Sequence, residues 1–398
     1  MKILRQGIQN TDSGPDFSLS RVIIDGVEWV GDIEIHVLTS SWKAHNHHLD
    51  LSYNKVILHV VWEHDTEALR ADGSNIPTLE LSNIITKLWL QKCSGLLNSI
   101  KVIPCDHFIE GIDNVYKSEA FSKALVKRLE RKSRLVLEEV ERLKGDWEQT
   151  SINLLFEYFG FKKNNEAFKQ MALHADFKII SKLTSQQQIE AYLFGMAGLL
   201  QDGNERSKYQ EDLTKEFNWL RKKYSITKAP MSITWWKFMR LRPANFPTLR
   251  IAQLASLLYQ KEHFFQSIIE GSEKDAANFF KVEQSEFWHT HYHFNKIAKS
   301  TLSGLGEMSR RILSINVAAV LLVAYGQYTN NEHYVEKAII FLEALKPEAN
   351  SITGKWNNLG IKMLNAAESQ GAIELFNNYC GKRRCLSCNI GNQILRGT

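Results

Sequence analysis

Two acidic motifs near the start of the chain have the residue types and spacing of a divalent-metal site. The first is Gly14-Pro15-Asp16 and the second is Glu34-Ile35-His36. Hard cations such as Mg²⁺ are bound through one or two carboxylates and keep several waters for chemistry. We therefore predict that Asp16 and Glu34 bind Mg²⁺ or Mn²⁺, with the Ile35 carbonyl as a third ligand. The structural alternative is that Asp16 caps a turn and Glu34 lies on a solvated strand face.

His36 completes the predicted catalytic set of Asp16, Glu34 and His36. Residues two apart on a strand share a face, so His36 lies beside Glu34 if this segment is extended. There it would position a water or stabilise charge on a scissile phosphate. An imidazole is largely neutral near pH 7, so such a site is expected to be slow or degenerate.

Histidine is concentrated around these motifs. His45-x-His47, followed by Asp50, offers the imidazole and carboxylate donors that suit zinc or iron. We also assign His45 and His47 to substrate binding, because they follow the acidic pair closely in the chain. The alternative is that this stretch forms a polar surface helix.

A cysteine cluster near the end of the sequence is a second candidate metal site. Cys380, Cys385 and Cys388 follow an x4 and x2 spacing around Lys382-Arg383-Arg384. Such thiolates bind zinc or an iron–sulfur cluster if Cys93, Cys105 or a histidine supplies the fourth ligand. The alternative is a set of small buried hydrophobic residues. The odd number of cysteines and the lack of a secretory signal argue against a disulfide framework.

The first hundred residues have the patterns of a small mixed sheet. Asp25-Gly26 between two β-branched runs predicts a hairpin. The alternation over 32–37 predicts a half-buried strand, and the apolar run 55–62 predicts a strand covered on both faces. Residues 77–81 predict one more strand, and 39–54 a short helix or a long loop.

From about Val115 the apolar residues recur at three- and four-residue spacing, which predicts amphipathic helices. The predicted fold is therefore α+β, with a sheet domain over 1–112 and a larger all-helical domain over 113–398. In the second domain, Arg242 and Asn245 lie in a proline-bounded segment that we assign to substrate binding.

Composition limits the classes of protein to consider. The 398 residues are 44% hydrophobic and 23% charged, which excludes disordered and collagen-like chains. A net charge of +5 permits nucleic acid as a partner but does not require it. The sequence has no run of about 18 apolar residues and no signal peptide, so we expect a cytoplasmic protein without a membrane partner. Its oligomeric state is left open.

The N-terminal motifs resemble the PD-(D/E)XK nuclease superfamily, in which Pro-Asp is followed by an acid-x-Lys motif. Pro15-Asp16 corresponds to the first motif and Glu34-Ile35-His36 to the second, with histidine in place of lysine. The resemblance covers roughly the first 65 residues. It implies a restriction-endonuclease-like core with the order helix, three strands, helix, strand.

A second resemblance extends along almost the whole chain. It is carried by Asn10–Phe17, Trp29–His36, Val56–Trp62, Arg242–Pro247, Ala324–Gly326 and the Cys380–Cys388 segment. These segments resemble an uncharacterised bacterial family, domain of unknown function 2851. The resemblance implies no particular activity.

Together these observations lead us to expect a metal-dependent phosphodiesterase or nuclease that acts on DNA or RNA. The rival is a non-catalytic helical scaffold that binds nucleic acid or protein. Metal-dependent cleavage that is lost in Asp16→Asn and Glu34→Ala would separate the two.

Overall fold

The computed structural model describes residues 1–201, 206–272, 276–300 and 304–396. The chain divides into two compact units, Met1–Ile100 with Asn392–Thr398 and Lys101–Gly391. The fold is α+β, as predicted, with a small mixed sheet in the first unit and mainly helices in the second. Sequence patterns placed the boundary after residue 112, whereas 101–112 group with the helices. Ile103, Cys105 and Ile109 are already buried there.

Among the described residues, the first unit contains six strands and the second unit two. The strands are β1 (Lys2–Arg5), β2 (Ile8–Gln9), β3 (Phe17–Ile24), β4 (Val27–Leu38), β5 (Val56–Glu63), β6 (Thr78–Glu80), β7 (His291–His293) and β8 (Lys296–Ile297). The hairpin of β7 and β8 is an addition to the helical domain that the sequence did not indicate.

The first two α-helices of the chain lie in the first unit, and those that follow account for most of the second. They are α1 (Ser41–Ala44), α2 (Lys87–Leu97), α3 (Asn114–Arg142), α4 (Trp147–Phe159), α5 (Asn165–His174), α6 (Phe177–Ile180), α7 (Gln186–Met196), α8 (Lys208–Lys223), α9 (Pro247–Gln260), α10 (Phe264–Glu270), α11 (Phe287–Thr290), α12 (Glu307–Leu313), α13 (Ala319–Thr329), α14 (Glu332–Glu343), α15 (Ser351–Asn358), α16 (Ala366–Leu375) and α17 (Asn389–Arg396).

The sheet has the strand order β1-β3-β4-β5-β6, and β2 pairs with β3. The predicted hairpin is confirmed: β3 and β4 are antiparallel around Asp25 and Gly26, whose φ angles are 51° and 82°. A two-residue hairpin turn favours such positive angles, which Asp and Gly tolerate. β5 pairs parallel with β4, and Glu34 lies opposite His59 in that register.

β5 is covered on both faces, as its apolar run predicted. Val56, Ile57 and Leu58 are at most 7% exposed and belong to two small apolar clusters. The second of these clusters includes Val22 and Ile33 from the hairpin. The sheet that carries Glu34 and His36 is therefore anchored by apolar packing.

The segment between β4 and β5 combines both of the predicted alternatives. It contains α1, followed by 3₁₀ turns at His47–Leu49 and Leu51–Lys55. Asn46 takes the left-handed conformation, φ 62°, which asparagine adopts more readily than most residues. Trp42 is 2% exposed and donates its indole N–H to the Leu69 carbonyl at 3.0 Å. The turn at Asn46 and the Trp42 anchor fix where His45 and His47 lie.

The helical unit has one large core, to which α9 and α13 contribute most of their residues. The stretch Glu307–Thr329, which contains α12 and α13, is long and apolar enough to cross a membrane by length and composition. However, 67% of its most apolar window is buried inside the fold. That burial is typical of a core helix of a soluble protein.

Candidate metal centre

Asp16 and Glu34 come together at the edge of the hairpin, as their motifs predicted. The backbone N–H of Asp16 donates to Glu34 Oε2 at 3.1 Å. In return, the backbone N–H of Ile35 donates to Asp16 Oδ2 at 2.9 Å. The reciprocal bonds join the turn before β3 to the middle of β4. Ile35 thus contributes an amide to the site, while a ligand role for its carbonyl stays a prediction.

Three histidines surround the Glu34 carboxylate. His36, His45 and His47 each offer a ring nitrogen, and the three atoms lie within 4.8 Å of one another. Glu34 Oε1 lies 3.5 Å from His36 Nε2 and 3.4 Å from His47 Nε2. His36 Nε2 lies 3.1 Å from His45 Nδ1. The three ring nitrogens therefore converge, and the Glu34 carboxylate contacts two of the three imidazoles.

These separations fit the ligands of one metal ion. Donors bound at about 2.0–2.2 Å in tetrahedral or octahedral geometry lie roughly 3 to 3.5 Å apart. The separations of 3.1 Å between His36 and His45, 3.4 Å between His47 and Glu34, and 3.5 Å between His36 and Glu34 fall in this range. The set joins one carboxylate to three imidazoles, a mixture that suits first-row transition metals better than Mg²⁺. The residues assigned from sequence to substrate, His45 and His47, are thus placed to act as ligands.

Neighbouring aromatic residues hold these imidazoles in position. Tyr53 stacks on His47 with ring centroids 3.8 Å apart, and Trp42 packs edge-on against both Tyr53 and His47. His59 is fully buried, and its Nε2 lies 2.9 Å from His36 Nδ1. One of those two nitrogens donates the hydrogen bond. If His36 donates through Nδ1, its Nε2 presents a lone pair to the convergence point.

The role of His59 is the residue-level feature that sequence reasoning did not find. Its position opposite Glu34 depends on the register of β4 against β5, which the sequence does not reveal. The only available signal was a histidine inside an otherwise apolar strand. Asp50, weighed from sequence as a ligand with His45 and His47, instead accepts the Ser52 N–H and hydroxyl.

The electrostatics of the cluster favour neutral imidazoles. Burial, followed by the charges of His47 and His45, lowers the pKa of His36 to about 4. Burial, followed by the charge of His36, lowers the pKa of His59 to about 4. Burial and the Asp16 carboxylate raise the pKa of Glu34 to about 7, opposed by the hydrogen bond from the Asp16 N–H. Imidazole must be neutral to bind a metal, so the site is electrically suited to a cation.

Arg242 and Asn245, also assigned from sequence to substrate binding, belong to the helical unit. Arg242 precedes a 3₁₀ turn over Pro243–Asn245. Asn245 Oδ1 accepts a hydrogen bond from buried Arg250 at 2.8 Å. This contact gives Asn245 a structural role, and substrate binding by either residue stays a prediction.

The family to which the chain belongs follows from comparison with known proteins. The model of a protein family of unknown function, DUF2851, matches residues 1–351. The chain belongs to this family. The DUF2851 match includes Asp16, Glu34 and the three histidines, and it ends before Cys380–Cys388. No curated protein and no solved structure matches the chain significantly.

Proposed function

We propose that this DUF2851 protein is a metal-dependent phosphodiesterase whose centre is formed by one carboxylate and three imidazoles. The proposed ligands are Glu34, His36, His45 and His47. The observation that carries the proposal is the cluster of His36, His45 and His47, whose ring nitrogens lie within 4.8 Å of one another, with Glu34 Oε1 3.4–3.5 Å from two of these histidines. The ligand set revises the sequence-based one, because histidines replace Asp16 and the Ile35 carbonyl next to Glu34.

Mn²⁺ is the ion that reconciles these four ligands with catalysis. A zinc ion with four protein ligands is tetrahedral and closed, which is typical of structural sites. A six-coordinate ion such as Mn²⁺ leaves two positions for water and substrate. When bound, the ion supplies Lewis-acid activation of water and of a phosphoryl oxygen. Mn²⁺ also accepts both carboxylate and imidazole ligands, whereas Mg²⁺ prefers oxygen.

The protein's own groups would position the reactants. Asp16 Oδ2 is held by the Ile35 N–H, which leaves Oδ1 to orient a water and accept its proton. His59 holds the ring of His36 through the 2.9 Å contact. The Trp42 and Tyr53 rings exclude water from the inner side of His47.

A phosphodiester of DNA or RNA is the proposed substrate class. Apart from the additional two-residue strand β2, the element order β1, β3, β4, α1, β5 agrees with the order of three strands, helix and strand that the PD-(D/E)XK resemblance implies after its leading helix. Pro15-Asp16 directly precedes β3, and Glu34-Ile35-His36 lies within β4, as that resemblance requires. A cytoplasmic location is part of the same proposal.

The proposal is tested by cleavage of fluorescent single-stranded DNA, RNA and plasmid after removal of metal with EDTA. We expect cleavage with Mn²⁺, weaker cleavage with Mg²⁺, and Zn²⁺ binding without cleavage. Glu34→Gln and His47→Ala should each lower the Mn²⁺-dependent rate by about 100-fold or more. Asp50→Asn is the matched control, because Asp50 lies close in sequence but bonds to Ser52.

Two outcomes would contradict the proposal. Cleavage that survives in Glu34→Gln would come from another site or from a contaminant. Tight Mn²⁺ or Zn²⁺ binding without cleavage of any of the substrates would favour the rival, a scaffold in which the metal serves folding.

A further inference from the structure

The structure gathers four of the five cysteines in the helical unit. Cys105 precedes α3, whereas Cys380, Cys385 and Cys388 follow α16. All four are 6–7% exposed, and all are thiols rather than disulfides. Burial, followed by the charges of Cys388 and Cys385, raises the pKa of Cys105 to about 12. Burial, followed by the charges of Cys105, Cys388 and Cys385, also raises the pKa of Cys380.

The two segments that carry these cysteines are far apart in sequence, and a hydrogen bond joins them. The Arg383 side chain donates to the Lys101 carbonyl at 2.8 Å. Arg383 itself has φ 55°, so the chain turns sharply between Cys380 and Cys385. The turn and this contact hold the C-terminal cysteines against the stretch that contains Cys105.

Burial raises the pKa of the Cys388 thiol, and hydrogen bonds from the backbone oppose that rise. Cys388 immediately precedes α17, and its sulfur accepts hydrogen bonds from the N–H groups of Ile390 and Gly391. Hydrogen bonds to a charged group favour its charged form. A Cβ at Gly391 would lie 2.0 Å from the Cys385 carbonyl, so glycine permits the close approach of the two turns.

The number and spacing of the cysteines indicate the class of metal. Four cysteines are the full ligand set of a zinc ion or an iron–sulfur cluster, and C-x4-C-x2-C with one distant cysteine is an iron–sulfur spacing. Among the described residues, only His36, His45 and His47 bring three donor atoms within 4.8 Å of one another. No three of these four sulfurs therefore all lie within 4.8 Å of one another, whereas the edge of a zinc site with 2.3 Å bonds is roughly 3.8 Å. A multi-iron cluster spreads its ligands more widely than one ion does.

We propose that an iron–sulfur cluster is bound by four thiolates of the helical unit, those of Cys105, Cys380, Cys385 and Cys388. The cluster joins the beginning and the end of this unit's chain, and so closes a loop of more than two hundred residues. A link across so long a loop restricts the unfolded chain strongly, which gives the cluster a stabilising role. The proposal does not depend on the phosphodiesterase centre, which uses none of these residues.

The test is metal analysis of the full chain, purified without oxygen and reconstituted with ferrous iron and sulfide. We expect iron and acid-labile sulfide in equal amounts, with a broad visible absorption that dithionite bleaches. Cys105→Ser and Cys388→Ser should each lose most of the iron and lower the unfolding temperature. Cys93→Ser is the matched control, since Cys93 lies in α2 of the other unit and should keep full iron content.

Three results would overturn the proposal. The first is wild-type protein without iron and sulfide after reconstitution, a result that does not depend on how the variants fold. The second is one zinc ion per chain in place of iron, which would exclude the cluster. The third is full iron content in folded Cys105→Ser, which would remove Cys105 from the ligand set.

Discussion

At the scale of single residues, the centre depends on how each imidazole is oriented. His36 is the clearest case, because its Nδ1 contacts His59 and its Nε2 faces Glu34 and His45. A ligand imidazole held through its second nitrogen has a fixed tautomer and ring angle. In the proposed centre, histidine in place of lysine would change the role of position 36, from screening charge to binding metal.

His59 is predicted to act as a positioning residue. His59→Leu removes the hydrogen bond to His36 Nδ1 and should weaken Mn²⁺ binding by about 10- to 100-fold. His59→Gln keeps an acceptor and should recover most of the affinity, measured by calorimetric titration of the metal-free protein. Equal losses in both variants would indicate packing rather than orientation.

Lys132 is a partly buried residue of the helical unit with a predictable effect on stability. Its ammonium donates to Tyr158 and Asn316, and burial, followed by the charges of Arg128 and Arg131, lowers its pKa to about 7. The pKa of lysine in an unfolded chain is near 10.4. Between about pH 7 and this value, the unfolded state therefore binds a proton at Lys132 that the folded state has lost. The free energy of unfolding should therefore rise with pH, by about 1 to 2 kcal/mol from pH 7 to 9.

Urea unfolding of Lys132→Met across this pH range checks the prediction. Because Lys132→Met lacks the titrating group, its free energy of unfolding should rise with pH by about 1 to 2 kcal/mol less than that of the wild type. Exposed Lys123 on the same helix offers the control, and Lys123→Met should follow the wild type. An unchanged pH dependence in Lys132→Met would show that another group is responsible.

At the scale of elements, local patterns in the sequence indicated four of the six strands of the sheet, all but β1 and β2. The Asp25-Gly26 turn and the apolar run of β5 each reflect short-range physics, and both predictions are confirmed. The strand predicted over 32–37 is present within β4, but Ile35 and Val37 are exposed whereas Glu34 is buried, so the expected apolar face is not the buried one. Pairing between segments that are distant in sequence does not follow from local patterns, because strand register and the path of a loop depend on tertiary packing. For this reason the approach of Asp16 to Glu34 was predicted, whereas the contact of His59 and the gathering of the histidines around Glu34 were not.

The same limit applies to the helical unit. The helical spacing indicated α3, but Leu135, counted in its apolar pattern, is 60% exposed while Val136 is 3% exposed. Which neighbour faces inward depends on the helices packed against α3. Likewise, the sequence did not distinguish among Cys93, Cys105 and a histidine as the fourth ligand beside the three C-terminal cysteines. Only the fold distinguishes Cys105.

The close packing of α16 on α3 gives a prediction at this scale. A Cβ at Gly371 would lie 2.2 Å from the Phe121 carbonyl, so Gly371→Ala must push the helices apart. We expect a loss of roughly 1–3 kcal/mol in the free energy of unfolding. Gly354→Ala in α15 has open space and should instead gain about 0.5–1 kcal/mol. Equal effects in the two variants, measured by urea unfolding, would contradict the close packing.

At the scale of the whole molecule, each compact unit carries one proposed metal centre. The carboxylate–imidazole centre lies in Met1–Ile100, and the cysteine cluster lies in Lys101–Gly391. A metal ion that binds only the folded state stabilises it by about 2.7 kcal/mol at a hundredfold excess over its dissociation constant. The unit that binds the ion is the one that is stabilised.

Hydrogen exchange followed by mass spectrometry can locate that effect. Mn²⁺ should slow exchange in peptides from β4, β5 and the segment between them. Peptides from α7 and α9, in the core of the helical unit, should exchange as in the metal-free protein. Slower exchange confined to the helical unit would place the Mn²⁺ site elsewhere.

The most direct test of the account is anomalous diffraction from a crystal soaked in Mn²⁺, recorded on both sides of the manganese edge. The account predicts one peak in the first unit, about 2.0–2.3 Å from Glu34 Oε1 and from a ring nitrogen of His36, His45 and His47. A peak bound by other residues, or no peak at saturating Mn²⁺, would contradict the account.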